Sequence, residues 1–192
     1  VYGGNTKIPF SVEDRVDKPI ALYGATKRAN ELIAYSYSYL YGLHTTGLRY
    51  FTVYGPWGRP DMAMFIFTKK ILDGKRIPVF NNGNMKRDFT YIDDIISGTR
   101  AAIEKNYKCE VFNLGNHKSE KLMDMVAMIE KELGKKAIID FQPMQLGDVP
   151  ESFADIEKSI ELLGYKPKTN VDIGVRNFLE WYIDYFENNS QN

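Results

Sequence analysis

A stretch of helical period runs from Tyr23 or Gly24 to Tyr41, stops at Gly42, and leads straight into Thr45-Thr46-Gly47-Leu48-Arg49-Tyr50-Phe51, which has the length and β-rich makeup of a buried strand. Ala25, Ala29, Leu32, Ile33, Tyr37 and Leu40 keep the helical spacing, and the glycine supplies the stop. A helix feeding a strand in this way is half of a βαβ unit. The alternation continues: a helix from Met62 to Asp73 ending at Gly74, a short strand Ile77 to Phe80 of edge type because of Pro78, a turn at Asn81 to Asn84, and a strand from Lys86 to Ile92. Asp93 and Asp94 suit the start of a helix to about Lys105, followed by a strand from Glu110 to Leu114. A helix from Ser119 to Leu133, a strand from Ala137 to Phe141, a loop to Ser152, and helices from Asp155 to Leu163 and from Val171 to Phe186 complete the order. Strands alternating with helices predict an α/β architecture.

Two loops carry interest. Thr6 to Leu22, with Pro9 and Pro19, reads as a long surface segment. Thr52 to Asp61, rich in glycine and proline, lies at a strand's carboxyl end, where open α/β sheets bind ligands. The first residues, Val1-Tyr2-Gly3-Gly4-Asn5, read as the end of a strand running into a turn, so the chain is expected to begin mid-fold.

Composition narrows the function classes. Across 192 residues, 25 Lys and Arg balance 25 Asp and Glu, which gives no basic field for a nucleic acid. One cysteine, Cys109, excludes an internal disulfide, and His44 and His117 lie too far apart to suggest a metal cluster. No apolar run approaches the roughly 18 residues that span a bilayer. The reading is a soluble, cytoplasmic protein without metal, nucleic-acid or membrane partners.

The chemistry centres on Tyr23-Gly24-Ala25-Thr26-Lys27. Tyrosine and lysine four residues apart leave one helix face, so an ammonium stands beside a phenol. A cation favours the phenolate, and such a pair serves as an acid/base couple. Alone, so short a pattern is weak.

Val1-Tyr2-Gly3, Tyr23-x-x-x-Lys27, Arg49-Tyr50-Phe51-x-x-x-Tyr54-Gly55-Pro56 and Arg87-Asp88-Phe89-x-Tyr91-x-x-Asp94, in that order, resemble the extended short-chain dehydrogenase/reductase family. Within it, the segment Phe51 to Ala63 is similar to the UDP-glucuronate 4-epimerases. The resemblance implies the carboxyl-terminal portion of a Rossmann-type doubly wound sheet plus a small α/β substrate lobe. Residues 1–60 would end the NAD-binding domain, its amino-terminal part absent; 61–187 would be mainly the nucleotide-sugar lobe, and 188–192 a disordered tail. The implied activity is NAD-dependent 4-epimerisation of a UDP-sugar, UDP-glucuronate to UDP-galacturonate, for polysaccharide precursors, in a homodimer formed through the helix following Tyr23.

By the same resemblance, Tyr23 is the acid/base, and Lys27 holds the nicotinamide ribose. Tyr50 and Phe51 pass the nicotinamide or simply end a core strand. Thr52 offers a hydroxyl to the sugar carboxylate; Arg59 either pairs with that carboxylate or is a solvated loop arginine. Phe80 stacks on uracil or merely packs. Arg87 meets the UDP phosphates or forms an ion pair with Asp88 or Asp94, Asp148 meets the uridine ribose, and Gln145 stands where an arginine is usual. No Gly-rich dinucleotide fingerprint occurs in the sequence. A 4,6-dehydratase, a UDP-glucuronate decarboxylase, or a non-catalytic nucleotide-sugar-binding module are the alternatives.

Overall fold

The computed structural model describes residues 1–188. In chain order its elements are α1 (Leu22–Tyr41), β1 (Thr45–Tyr50), β2 (Thr52–Tyr54), α2 (Ala63–Leu72), β3 (Arg76–Val79), β4 (Lys86–Arg87), β5 (Phe89–Tyr91), α3 (Ile92–Lys105), β6 (Cys109–Leu114), β7 (Glu120–Lys121), α4 (Leu122–Leu133), β8 (Ile138–Phe141), β9 (Glu151–Ser152), α5 (Glu157–Leu163) and α6 (Val171–Tyr182). The last helix runs on through a π turn, Ile183–Asn188. The expected disordered tail therefore falls outside the described residues from 189 onward, while Asn188 ends that turn.

The helix read from Tyr23 to Tyr41 is there, starting one residue earlier at Leu22, and Gly42 closes it at φ 68° with its N–H bonded to the Ser38 carbonyl. Three parallel pairs form the scaffold: β1 with β6, β2 with β5, and β3 with β8. A small sheet, β7-β4-β9, lies beside them. This is the α/β arrangement that the sequence predicts, with strands paired in parallel across helical crossovers.

Four local expectations change. The loop after β1 contains β2, because Phe51 N–H still bonds Leu114 on β6 whereas Thr52 N–H turns to Asp88 next to β5. The single strand expected from Lys86 to Ile92 breaks at Asp88 into β4 and β5, since that fully buried carboxylate is spent on backbone donors elsewhere. The helix expected from Ser119 begins at Leu122, with the Ser119 hydroxyl on Glu151 instead of a helix end. The loop before Ser152 ends in β9, which pairs with β4.

Two cores hold the elements. One, under α2, α4 and α6, gathers Phe65, Phe67, Ile77, Ile129, Val175 and Phe178. The other packs Phe112 and Leu114 of β6 against Ile95, Ala102, Leu163 and Tyr165. Leu48 and Phe51, from the neighbourhood of β1, complete this second core, so it draws on both sides of residue 60. No described helix is long and apolar enough to cross a membrane.

Candidate active site

A cleft of about 800 Å³ runs along β1 from Thr45 to Tyr50 and past its carboxyl end, where Tyr23, Lys27, Thr52, Arg87 and Asp148 also line it. One wall is the face of α1 from Tyr23 to Ala34, and Gly147, Asp148 and Val149, in the segment before β9, contribute to the lining.

The Tyr23 ring is exposed, and Lys27 Nζ stands 5.2 Å from its centroid, over the ring face. Helical spacing alone places them so. Among the described residues Lys27 makes no ion pair, so its ammonium is available to the cleft.

Tyr50 is half exposed, its hydroxyl 3.2 Å from Thr99 Oγ1, whereas Phe51 borders the cleft but packs toward Tyr2 and Phe10 with ring centroids 6.1 and 6.4 Å away. Thr52 sits in β2 opposite Phe89 and faces the same space.

Arg87 is held by three acceptors. Its Nη1 donates to the Lys86 carbonyl at 2.8 Å and the Pro150 carbonyl at 3.3 Å, and its Nη2 donates to Asp148 at 2.8 Å. The alternative for Arg87, an ion pair with Asp88 or Asp94, is not formed, because both of those carboxylates are committed to backbone. Asp88 accepts from the N–H groups of Asn116, His117 and Ala154 and from the Thr90 hydroxyl. Asp94 accepts from Lys168 and Thr169. Burial lowers the Arg87 pKa, and the Asp148 carboxylate opposes that effect. A mostly buried guanidinium beside one carboxylate keeps donor capacity for a second anion.

Arg59, Phe80 and Gln145 are not on the cleft wall. Arg59 is fully solvated in a bidentate pair with Asp61, because the loop between β2 and α2 turns its side chain back on itself. Phe80 starts a tight turn after β3 in which Asn81 and Asn82 adopt positive φ. Gln145 is exposed, and its carbonyl accepts from Asp148 N–H.

Sequence reasoning missed a polar cluster whose Tyr2, Glu31 and Arg49 stand in the cleft wall. Arg49 donates from Nε and Nη2 to the two oxygens of Glu31 at 2.7 and 2.9 Å, and from Nη1 to the Tyr2 hydroxyl at 3.0 Å. Tyr2 in turn donates to Asn113 on β6. The signal was present in the sequence, since Glu31 continues the Tyr23, Lys27 spacing by one more turn.

Residues 1–115 match the model of the NAD dependent epimerase/dehydratase family. The chain belongs to that family. It is 58% identical over 184 residues to an uncharacterized protein of Methanocaldococcus jannaschii, covering 96% of this chain and 56% of that protein. To UDP-glucuronate 4-epimerase 4 of Arabidopsis thaliana it is 48% identical over 203 residues, covering 97% of this chain and 46% of the relative. The crystal structure of UDP-glucuronic acid 4-epimerase from Bacillus cereus in complex with UDP-glucuronic acid and NAD superposes with a TM-score of 0.90 at 36% identity, over 97% of this chain and 59% of that one. The chain thus spans about half the length of the curated relatives it matches. Its family's fold is the one described above: parallel strands at whose carboxyl ends the Tyr23–Lys27 helix and the Arg87–Asp148 pair converge.

Proposed function

We propose that this chain is the nucleotide-sugar-binding and tyrosine-bearing portion of an NAD-dependent UDP-glucuronate 4-epimerase. One observation carries the reading: Tyr23, Lys27, Thr52 and the Arg87–Asp148 pair, scattered over the sequence, border one cleft.

The residues fit the nicotinamide end of NAD, since an unpaired Lys27 ammonium and Tyr50 stand at the strand end beside Tyr23. They do not include the glycine-rich turn that would hold a pyrophosphate. When bound, NAD+ supplies a hydride acceptor for the sugar C4 and returns the hydride. Tyr23 takes the proton of the 4-hydroxyl and later gives it back, with Lys27 keeping the phenolate available and donating to ribose hydroxyls. Arg87 donates to the diphosphate and Asp148 accepts from the uridine ribose. Thr52 donates to the C5 carboxylate, and Arg59 reaches that carboxylate only by leaving Asp61.

Residues 1–60 are then the end of the NAD-binding part and 61–187 mainly the sugar lobe, working in the cytoplasm as a homodimer through α1, whose Leu32, Ile33 and Leu40 are exposed. Calorimetric titration with UDP-glucuronate, UDP-galactose and UDP tests the assignment. A preference for the glucuronate that Arg87→Ala weakens supports it; failure to bind any UDP compound overturns it.

A further inference from the structure

Among the described residues, the helix that carries Tyr23 and Lys27 makes few apolar contacts with the sheet. Ser38 is its one residue buried among those described, while Leu32, Ile33, Tyr37 and Leu40 stay exposed and no side chain caps its start. What ties it to the sheet is polar. Near its end Ser38 Oγ donates to the Lys108 carbonyl at 3.0 Å. In its middle Glu31 receives the two-pronged pair from Arg49 and a further bond from Arg28 at 2.8 Å.

Glu31 lies one turn beyond Lys27 and two beyond Tyr23 on the same face. Arg49 is the residue before Tyr50, at the carboxyl end of β1. A planar fork on a carboxylate fixes orientation as well as distance. Its far side is fixed too: Arg49 holds Tyr2, Tyr2 holds Asn113, and Asn113 Nδ2 donates to the Phe10 and Asp155 carbonyls at 2.8 and 3.0 Å. The pair therefore sets the rotation and height of α1 against a rigid part of the sheet.

We propose that Glu31 and Arg49 are positioning residues that hold the Tyr23–Lys27 couple in register with the strand end bearing Tyr50 and Thr52. The proposal rests on the reading of Tyr23 as the acid/base. A misplacement of about 1 Å at a reacting group costs on the order of 10²-fold in rate, so a pair that fixes a helix face has leverage on the reaction through the couple that face carries.

The test uses the chain labelled with fluorotyrosine, the Tyr23 fluorine resonance being assigned through Tyr23→Phe. Three variants are compared with the unmutated chain: Arg49→Lys, which keeps the charge and loses the fork; Glu31→Gln; and the double Glu31→Gln/Arg49→Met, which leaves no buried charge alone and so preserves folding. Arg100→Ala, which removes an exposed pair with Glu104, is the control. The Tyr23 resonance is expected to move or split in the folded variants and to stay put in the control. With NAD+ and UDP-glucuronate, kcat is expected to fall about 10²-fold with KM within about twofold. An unmoved Tyr23 resonance in a folded variant overturns the proposal, even if the unmutated chain turns over sugar. A moved resonance in a chain that binds no UDP-sugar keeps the positioning role and removes the acid/base reading instead.

Discussion

Arg87 donates from Nη2 to Asp148 Oδ1 across 2.8 Å and joins β4 to the segment that precedes β9. The guanidinium is mostly buried and its Nη1 is spent on the Lys86 and Pro150 carbonyls, so an anion is met through Nε and the second Nη2 hydrogen. Arg87→Ala is expected to weaken UDP binding by about 1.5–3 kcal/mol, roughly 10- to 100-fold in Kd. Asp148→Ala separates two ligands: inorganic pyrophosphate, which gains an uncompensated Arg87, binds more tightly, while UDP loses its ribose acceptor and binds less tightly. Calorimetry with both ligands checks this, and equal losses for both would deny Asp148 a ribose contact.

Two carboxyls should give stability slopes of opposite sign. Burial raises the Asp88 pKa above its ordinary 3.8, against the hydrogen bonds of Ala154, Asn116, Thr90 and His117. Its contribution is fully present below about pH 3.8 and is lost as pH rises through the folded value. Burial also pushes Glu31 up, but hydrogen bonds from Arg49 and Arg28 more than reverse this and hold it below 4.5. That contribution is present above about pH 4.5 and is lost as pH falls through the folded value. Melting temperatures against pH, for Asp88→Asn and Glu31→Gln relative to the unmutated chain, should diverge in opposite directions. Asp88→Ala should cost about 3 kcal/mol or more, since it strands three buried N–H groups.

Gly174 of α6 lies against the Tyr54 phenol: a Cβ there would stand 2.1 Å from the hydroxyl oxygen and 2.8 Å from Cζ. Tyr54 belongs to the core under α6 and Gly174 is buried within that helix, so neither can retreat into solvent. Gly174→Ala is expected to destabilise by about 1–3 kcal/mol. Tyr54→Phe removes the nearer atom and gives up only a 3.4 Å bond to the Val171 carbonyl, so the double variant should recover part of the loss in chemical denaturation.

Why some of this was legible follows from range. The α1 pattern and its Gly42 stop are local, and so is the Tyr23, Lys27 spacing, which is why the helix and its reactive face could be read directly. The break at Asp88 could not, because the groups that claim its carboxylate come from residues 116, 117 and 154. Arg87 was read as a phosphate ligand with a near neighbour as its competing partner, yet its partner lies 61 positions on. The Glu31–Arg49 pair depends on helix and strand packing side by side, which no single window contains. Arg59 was left between a carboxylate ligand and a solvated loop arginine; it is exposed here, with Asp61 two residues on as its partner.

The loop between β2 and α2 is fastened by Trp57, which holds φ at 62° and lays its indole 5.3 Å from Trp181 and 4.9 Å from Tyr185. A bulky residue in the left-handed region costs about 1–2 kcal/mol, and two aromatic contacts at about 0.5–1.5 kcal/mol each offset that cost. The arithmetic makes two substitutions behave differently. Trp57→Ala loses both contacts and keeps the backbone strain; Trp57→Gly loses the contacts and relieves the strain. The glycine variant should therefore melt above the alanine variant, by about 1 kcal/mol of stability. Both release a loop that carries Arg59 two residues further on, so both should lose preference for UDP-glucuronate over UDP-galactose while binding free UDP as before. Thermal melts order the two variants, and paired titrations read the discrimination. If the alanine variant matches the glycine variant in stability, the left-handed conformation is not what Trp57 maintains. If discrimination survives in both, Arg59 does not reach the sugar carboxylate from this loop.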